Sequence, residues 1–122
     1  MARRKLVSNT RGTGPRVTLS CADMHGLTFN AAAVEKYRIA DREEVLVYYD
    51  DELHAFVLER VASGTAGALA FRRPQAKYAA LRLTLRGAVA QIGLLIPDSL
   101  PVDVELVDDE IIVKLTPDMT IE

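Results

Sequence analysis

The chain contains an internal repeat, which limits its fold more than any other feature of the sequence. Residues 27–32 (LTFNAA) are matched by residues 83–88 (LTLRGA), and the acidic triplet 50–52 is matched by 108–110. The first match has an offset of 56 residues (83 minus 27) and the second an offset of 58 (108 minus 50), a difference that one loop can absorb. A unit this small cannot bury its own apolar face, so we expect the two units to close against each other.

Alternating apolar residues predict a mainly β chain with two short helices. Leu81, Leu83 and Leu85 alternate with Arg82 and Thr84, so we expect the arginine and the threonine to face away from the core. The sequence predicts a flexible basic arm over 1–16 and a single β-rich domain over 17–122. This domain consists of two repeats, 17–61 and 79–116, joined by a basic linker. A pseudo-twofold pair of β-α-β-β units with a barrel-like closure is the architecture we expect.

Each repeat is predicted to contain one helix followed by one hairpin. Asn30 stands where a helix N-cap is expected, because its side-chain oxygen can accept a bond from an amide in the first turn, and a helix over 31–37 follows. The second helix, over 87–92, begins less favourably because Arg86 takes the place of the asparagine. After each helix, two β-rich runs flank an acidic triplet, a pattern typical of a hairpin.

Length, cysteine content and hydropathy limit the class of protein. The chain has 122 residues, enough for one domain with a real core. Cys21 is the only cysteine, so no internal disulfide framework exists, and a reducing, cytoplasmic location is expected. The apolar runs are far shorter than the roughly 18 residues that a membrane span needs, so we expect no membrane association.

Charge is segregated along the chain more strongly than the net charge of -2 suggests. Residues 1–22 and 60–97 contain bases and no acid, whereas residues 23–59 and 98–122 are strongly acidic. Clustered Lys and Arg can neutralise phosphates and release their counterions, so the two basic blocks predict a nucleic-acid-binding face. The candidate nucleic-acid-binding residues are Arg3, Arg4, Lys5, Arg11, Arg16, Arg72, Arg73, Lys77, Arg82 and Arg86.

The sequence offers no catalytic or metal-binding motif, so we expect a non-enzymatic protein without a cofactor. His25 and His54 are the only histidines. His25 follows Cys21 by four residues, but this segment lies between two predicted strands and not on a helix, so the spacing does not indicate a helical metal site. The two acidic triplets lie between β-rich runs, which favours solvated hairpin tips over a cation site. No local signature of a nucleophile with its base is present.

Part of the chain resembles a known family of regulators. The run 25–30 (HGLTFN), the apolar positions of the first helix and the run 45–47 before the acidic hairpin resemble the half-barrel unit of the AbrB, MazE and SpoVT proteins. In that family two such units interlock into a swapped-hairpin barrel, and most members bind DNA. Two copies in one chain are similar to the arrangement in the MraZ regulators. The resemblance covers residues 17–60 and, more loosely, residues 79–116.

The resemblance implies DNA binding, but from a different set of basic residues. Where the family places Lys or Arg in the turn before the second strand, this chain has Met24 and His25, so the positive charge must come from the arm and the linker. DNA is therefore expected as the partner more than RNA. Base stacking on a single strand is an alternative for the aromatic residues, although most are expected in the core. Those near the basic segments are Tyr48, Tyr49, Phe71 and Tyr78.

Two other functions stay open on the sequence. The acidic hairpins or the basic block can serve a protein-interaction module of antitoxin, mobile-element or phage-accessory type, which binds a protein partner. Alternatively, edge strands that pair between chains can make the protein a structural assembly subunit and a homo-oligomer. The nucleic-acid interpretation requires the arginines of the second basic block to share one exposed face within reach of residues 1–16.

Overall fold

The computed structural model describes residues 14–21, 25–74 and 79–121. This part of the chain contains eleven strands and two helices. The strands are β1 (Val17–Leu19), β2 (Gly26–Phe29), β3 (Glu44–Asp50), β4 (Ala55–Val61), β5 (Leu69–Ala70), β6 (Leu81–Thr84), β7 (Leu94–Leu95), β8 (Leu100–Pro101), β9 (Asp103–Val107), β10 (Glu110–Lys114) and β11 (Thr120–Ile121). The helices are α1 (Ala31–Lys36) and α2 (Arg86–Ile92).

The strands form three antiparallel sheets. The first has the order β6-β2-β1-β8, the second has the order β5-β3-β4-β10-β9, and β11 pairs with β7 in the third. The mainly β fold with two short helices is therefore confirmed. None of the sheets in the described chain closes into a barrel, so the closure expected from the sequence is not found.

Two chain segments join the larger sheets at their corners. In the segment 69–72, β5 pairs with β3, and then Arg72 pairs with Arg82 of β6. In the segment 100–107, β8 pairs with β1 and β9 pairs with β10, while the Val102 amide between them donates to the Val17 carbonyl at 2.9 Å. The sheets are interrupted there because each segment leaves one sheet to enter the other.

The core lies between the two larger sheets and follows the alternation in the sequence. Leu81, Leu83 and Leu85 are buried, whereas Arg82 is exposed, as the pattern predicted. The Phe29 ring packs edge-on against the rings of Tyr37 and Phe71, with centroids 6.2 and 5.5 Å away. Such aromatic pairs contribute roughly 0.5–1.5 kcal/mol beyond the area that they bury.

Residues that the repeat aligns lie next to each other in the sheets. Leu27 is the direct cross-strand partner of Leu83 in the pairing of β2 with β6. In the pairing of β4 with β10, Phe56 lies opposite Val113 and Ala55 lies opposite Lys114. The Leu27–Leu83 pair has the offset of 56 residues (83 minus 27), and the two β4–β10 pairs have offsets of 57 (113 minus 56) and 59 (114 minus 55), on either side of 58.

The two helices begin and end by different means. Asn30 caps α1 as predicted, because its Oδ1 accepts a hydrogen bond from the Ala33 amide at 2.9 Å. Helix α2 has Leu85 at its N-cap and no side-chain bond there, which confirms the less favourable start. Arg86 is the first residue of α2 and not its cap, so the expected boundary was one residue late. Gly93 ends α2 with a φ of 69°, a conformation in which glycine has no Cβ to strain.

Both predicted hairpins are present. The β3–β4 turn is closed by Asp50, whose Oδ1 accepts from the amides of Glu52 and Leu53 at 3.0 Å each. The β9–β10 turn consists of Asp108 and Asp109, with φ values of 48° and 71°. Positive φ at both central residues is the geometry whose twist matches that of paired strands. The acidic triplets therefore lie at hairpin tips.

Candidate nucleic-acid interface

The outer face of the β6-β2-β1 sheet is polar because its inner face takes the apolar residues of each strand. Direct cross-strand partners share a face, and Arg82 pairs with Thr28, which in turn pairs with Thr18. Arg72 continues this row on the other side of Arg82. The row therefore runs from two arginines to two threonines across four neighbouring segments of chain.

Arg72 and Arg82 form a like-charge pair at the corner between the sheets. Each backbone amide donates to the carbonyl of the other residue, at 2.8 and 2.7 Å, and both side chains are exposed. Directly opposed like charges destabilise a sheet by up to about 1 kcal/mol. Within the described residues, carboxylate ion pairs are formed by Arg60 and Lys114 and by neither arginine of this pair. Among the residues that the structure describes, no carboxylate forms an ion pair with the two positive charges of this corner.

The Arg82 side chain is held along the sheet. Its Nε lies 3.4 Å from the Thr28 hydroxyl, and its aliphatic part crosses above Gly26. A Cβ added to Gly26 would come within 2.9 Å of the Arg82 Cδ, so the glycine makes room for the arginine to lie flat. This orientation keeps the guanidinium on the outer face.

A groove of about 510 Å³ lies beside the arginine pair. Segment 68–70 forms one wall, and Arg82 and Thr84 form the other. Glu44 also lines this groove, but its two carboxylate oxygens accept from the Ser63 hydroxyl at 2.9 Å and the Gly64 amide at 3.0 Å. These bonds hold the acid against the 62–65 turn. We call this space the arginine groove.

The other described candidate arginines do not share the arginine groove. Arg16 lines a separate groove of about 480 Å³ together with Lys36 and Lys114. The backbone amide of Arg16 donates a hydrogen bond to the Asn30 Oδ1. Arg86 lines a third groove of about 280 Å³ with His25. Arg73 is exposed next to Arg72 in the chain. The structure therefore brings together Arg72 and Arg82, and it separates Arg16 and Arg86 from them. The shared face that the sequence analysis required of the second basic block is thus formed by Arg72 and Arg82 and does not include Arg86.

The remaining candidates fall outside the described residues. These are Arg3, Arg4, Lys5, Arg11 and Lys77.

The aromatic residues named from the sequence divide between core and surface. Phe71 is fully buried, Tyr49 is half-buried against His54, and Tyr78 lies outside the described residues. Tyr48 is the exception, with half of its surface exposed. Its hydroxyl donates to a Glu59 carboxylate oxygen at 3.1 Å, and this hydrogen bond and the charge of Glu59 raise the pKa of Tyr48 above 10.0.

Sequence reasoning missed the surface on which Tyr48 lies. Tyr48, Val57 and Ile112 are successive cross-strand partners on the outer face of the five-stranded sheet, and Glu105 follows Ile112 in the same row. Glu59 and Glu110 both raise the pKa of Tyr48, so they border the same stripe. The sequence signal for this surface is Ile112, an apolar residue that lies between Ile111 and Val113, whose side chains face the core. We call Tyr48, Val57 and Ile112 the apolar stripe.

The histidines have structural contacts. The His54 Nδ1 accepts a hydrogen bond from the Tyr49 hydroxyl, 2.9 Å away, and the His54 Nε2 donates one to the Met119 carbonyl. His25 places its Nδ1 3.2 Å from the Ser20 carbonyl. Among the described residues no group of three His, Cys, Asp or Glu side chains is arranged to hold a metal ion. No helix in the same part of the chain is long and apolar enough to span a bilayer.

Comparison with known proteins found no matching family model, no matching curated protein and no matching solved structure.

Proposed function

We propose that the protein is a non-enzymatic nucleic-acid-binding protein and that the Arg72–Arg82 corner is its primary phosphate contact. The observation that carries the proposal is the like-charge pair, which has no carboxylate ion-pair partner within residues 14–21, 25–74 and 79–121. An uncompensated pair of guanidinium groups costs stability in the free protein and gains it when an anion binds between them. Arginine presents several N–H donors in a planar fork, which suits the oxygens of a phosphate.

The mechanism is phosphate neutralisation on a rigid sheet surface. Both arginines belong to backbone that is hydrogen-bonded on two sides, so little ordering is needed when the nucleic acid arrives. The hydroxyls of Thr28 and Thr18 continue the row and can donate to the next phosphate or sugar along the strand. Arg16 directly precedes β1 and lines the separate groove with Lys36 and Lys114, so it is not part of this row.

The fold proposed for this function is an interlocked pair of AbrB-like units. The pairing of Leu27 with Leu83 and the pairing of Phe56 with Val113 support a pseudo-twofold relation between the halves. The resemblance to that family makes DNA the first nucleic acid to test. Here the contact surface is the corner of the 69–72 segment and not the turn that precedes β2.

The test is a DNA titration at several salt concentrations. The double variant Arg72→Gln with Arg82→Gln removes both charges, and Arg38→Gln removes one exposed arginine from the turn after α1 as the control. Two lost phosphate contacts lower the slope of log affinity against log salt by roughly 1.8 for duplex DNA and roughly 1.4 for a single strand. The control variant should keep most of the slope.

Two results would overturn the proposal. One is wild-type protein that binds neither form of DNA at about 50 mM salt, where phosphate contacts are strong. The other is binding that the double arginine variant retains with an unchanged salt slope. Thermal unfolding of each variant, followed by circular dichroism, shows whether the fold is kept.

A second candidate function is protein interaction through the apolar stripe. Tyr48 is exposed, and acids border the stripe, which is the arrangement of an apolar centre with a polar rim found in protein interfaces. The positive Arg72–Arg82 corner of a second copy has the complementary charge. Sedimentation over a concentration series should then show association that salt and Ile112→Lys both abolish. A monomer at all concentrations excludes this partner.

A further inference from the structure

A second groove adjoins the arginine groove. It has a volume of about 260 Å³ and shares Leu69 and Thr84 with its neighbour. Its remaining lining comes from β3, the 67 turn and α2. Because Leu69 and Thr84 line both spaces, the two grooves are neighbours, and we call them together the trough. We call the second space the apolar groove.

The walls of the apolar groove combine hydrocarbon with polar surface in similar shares. Leu46, Val47, Leu69 and Ala88 contribute aliphatic surface, and Tyr48 contributes a half-exposed ring. Thr84 and Gln91 are the lining residues with polar side chains beside Tyr48. Aromatic and aliphatic surface together with polar groups that orient a ligand is a common composition of a small-molecule or base-binding site.

Two glycines keep the groove open. Gly67 has a φ of 80°, a conformation that other residues adopt only with strain, so the turn places no side chain there. A Cβ built on Gly87 of α2 meets nothing within 4 Å, so this position also borders empty space. Neither of these two positions therefore places a side chain in the groove.

A ligand that fills the whole trough must be anionic at one end and planar and apolar at the other. A nucleotide of a nucleic-acid strand has both parts. In a duplex the bases are stacked and paired, and only an unpaired base can leave the stack to enter a groove. Stacking of unpaired bases on aromatic side chains contributes roughly 1–3 kcal/mol per base.

We propose that the apolar groove binds an unpaired base of single-stranded nucleic acid whose adjacent phosphate lies on the Arg72–Arg82 corner. The inference depends on the proposed function, because the arginines must hold the backbone for the base to reach Tyr48. It adds the strand form to that function. The protein is a single-strand binder that uses the corner for charge and the apolar groove for stacking.

The experiment compares three fluorescent probes of equal length: oligo-dT, a duplex, and an abasic strand that has the same phosphates without bases. Gly87→Leu fills the apolar groove from α2, and Gly87→Ala adds only one methyl group as the matched control. Both changes favour a helix over glycine, so loss of folding is not expected. Anisotropy titrations give the affinity of each pair.

Wild-type protein should bind oligo-dT about 5- to 150-fold more tightly than the abasic strand, the range that corresponds to one stacked base. Gly87→Leu should remove this preference, whereas Gly87→Ala should keep most of it, and the affinity for duplex should stay the same in both. Tyr48→Ala should also reduce the preference for bases without changing the salt slope. Equal wild-type affinity for oligo-dT and the abasic strand, or an unchanged preference in Gly87→Leu, overturns the inference.

The failures of the two proposals are distinguishable. Arg72→Gln with Arg82→Gln should weaken all three probes, including the abasic strand, if the corner is the phosphate contact. If this variant binds every probe like the wild type, the proposed function is wrong. If it weakens every probe while base content and Gly87→Leu have no effect, the phosphate contact holds and only the base groove is wrong.

Discussion

At the scale of single residues, the conformation or the pKa of several side chains depends on a contact with one neighbouring residue. Tyr48 depends on Glu59 for its hydrogen bond, and Arg82 depends on Gly26 for the space to lie flat. Arg60 joins the end of α1 to the strand beside it, because its guanidinium donates to the Arg38 carbonyl at 2.9 Å and pairs with Glu43 at 3.2 Å. Each of these contacts can be tested with one substitution.

Glu59→Gln should lower the pKa of Tyr48 toward 10.0. The hydrogen bond to the carboxylate and its negative charge favour the neutral phenol, and the amide removes the charge. A raised pKa means that this contribution to stability is present below pH 10 and is lost as the pH rises through the higher folded value. Ultraviolet titration of the phenols, with Tyr48→Phe to assign the signal, measures the shift. Glu105→Gln is the control on the same face, and an equal shift there would contradict the assignment.

Arg38→Gly should stabilise the protein by about 0.5–1 kcal/mol. Arg38 follows α1 with a φ of 54°, a left-handed conformation that costs a residue with a Cβ roughly 1–2 kcal/mol. Glycine removes this strain, but the greater conformational freedom of glycine in the unfolded chain offsets part of the gain. The Arg38 carbonyl that Arg60 binds is kept by the substitution. The midpoint of urea unfolding gives the change. Arg38→Ala keeps the strain, so a similar gain in that variant would refute the explanation.

At the scale of elements, helix and strand starts are set by short-range chemistry that the sequence shows. The alternation around Leu83 and the cap at Asn30 were predicted because they depend on neighbours within four residues. The sequence grouped Arg16 and Arg86 with Arg72, and their separation could not be predicted, since it depends on the register between strands far apart in the chain. Two adjacent tyrosines, 48 and 49, must face opposite sides of β3, but local pattern does not say which side is covered.

Asn30→Ala should destabilise the protein by about 1–2 kcal/mol. Besides capping α1, the Asn30 Oδ1 accepts from the Arg16 amide at 2.9 Å, and its Nδ2 donates to the Gly14 carbonyl at 2.8 Å. Asn30→Asp keeps the acceptor and loses the donor, so it should fall between wild type and Asn30→Ala. Thermal unfolding of the three proteins tests this order, and an aspartate variant no better than alanine would show that the cap is not the main contribution.

At the scale of the whole molecule, the halves share one core. Leu27 and Leu83 are fully buried and lie opposite each other where the two units meet. This contact was implied by the repeat, because each unit lacked a complete apolar core of its own. The sequence did not imply the open corners between the sheets, since strands of two residues, such as β5 and β8, show no periodic pattern. The apolar groove arises at one of these corners.

Leu27→Ala and Leu83→Ala should each destabilise the whole protein by roughly 2–5 kcal/mol, because a cavity opens between the units. The loss of unfolding free energy in the double variant should differ from the sum of the two single losses by about 0.5–3 kcal/mol, because residues in contact are coupled. Both probes of structure, far-ultraviolet circular dichroism and tyrosine fluorescence, should report one transition. Two separate transitions would show that the halves fold independently.

The segments 69–72 and 100–107 join the two larger sheets, so they also determine whether the protein stays together after a break in its backbone. The turn containing Ser63 and Gly64 is exposed, and a protease can reach it. Cleavage there would leave an N-terminal fragment whose β1, β2, β3 and β4 all have hydrogen-bonded partners on the other fragment. The two pieces should therefore remain associated after the peptide bond is broken, and separately expressed pieces should reconstitute the protein when they are mixed.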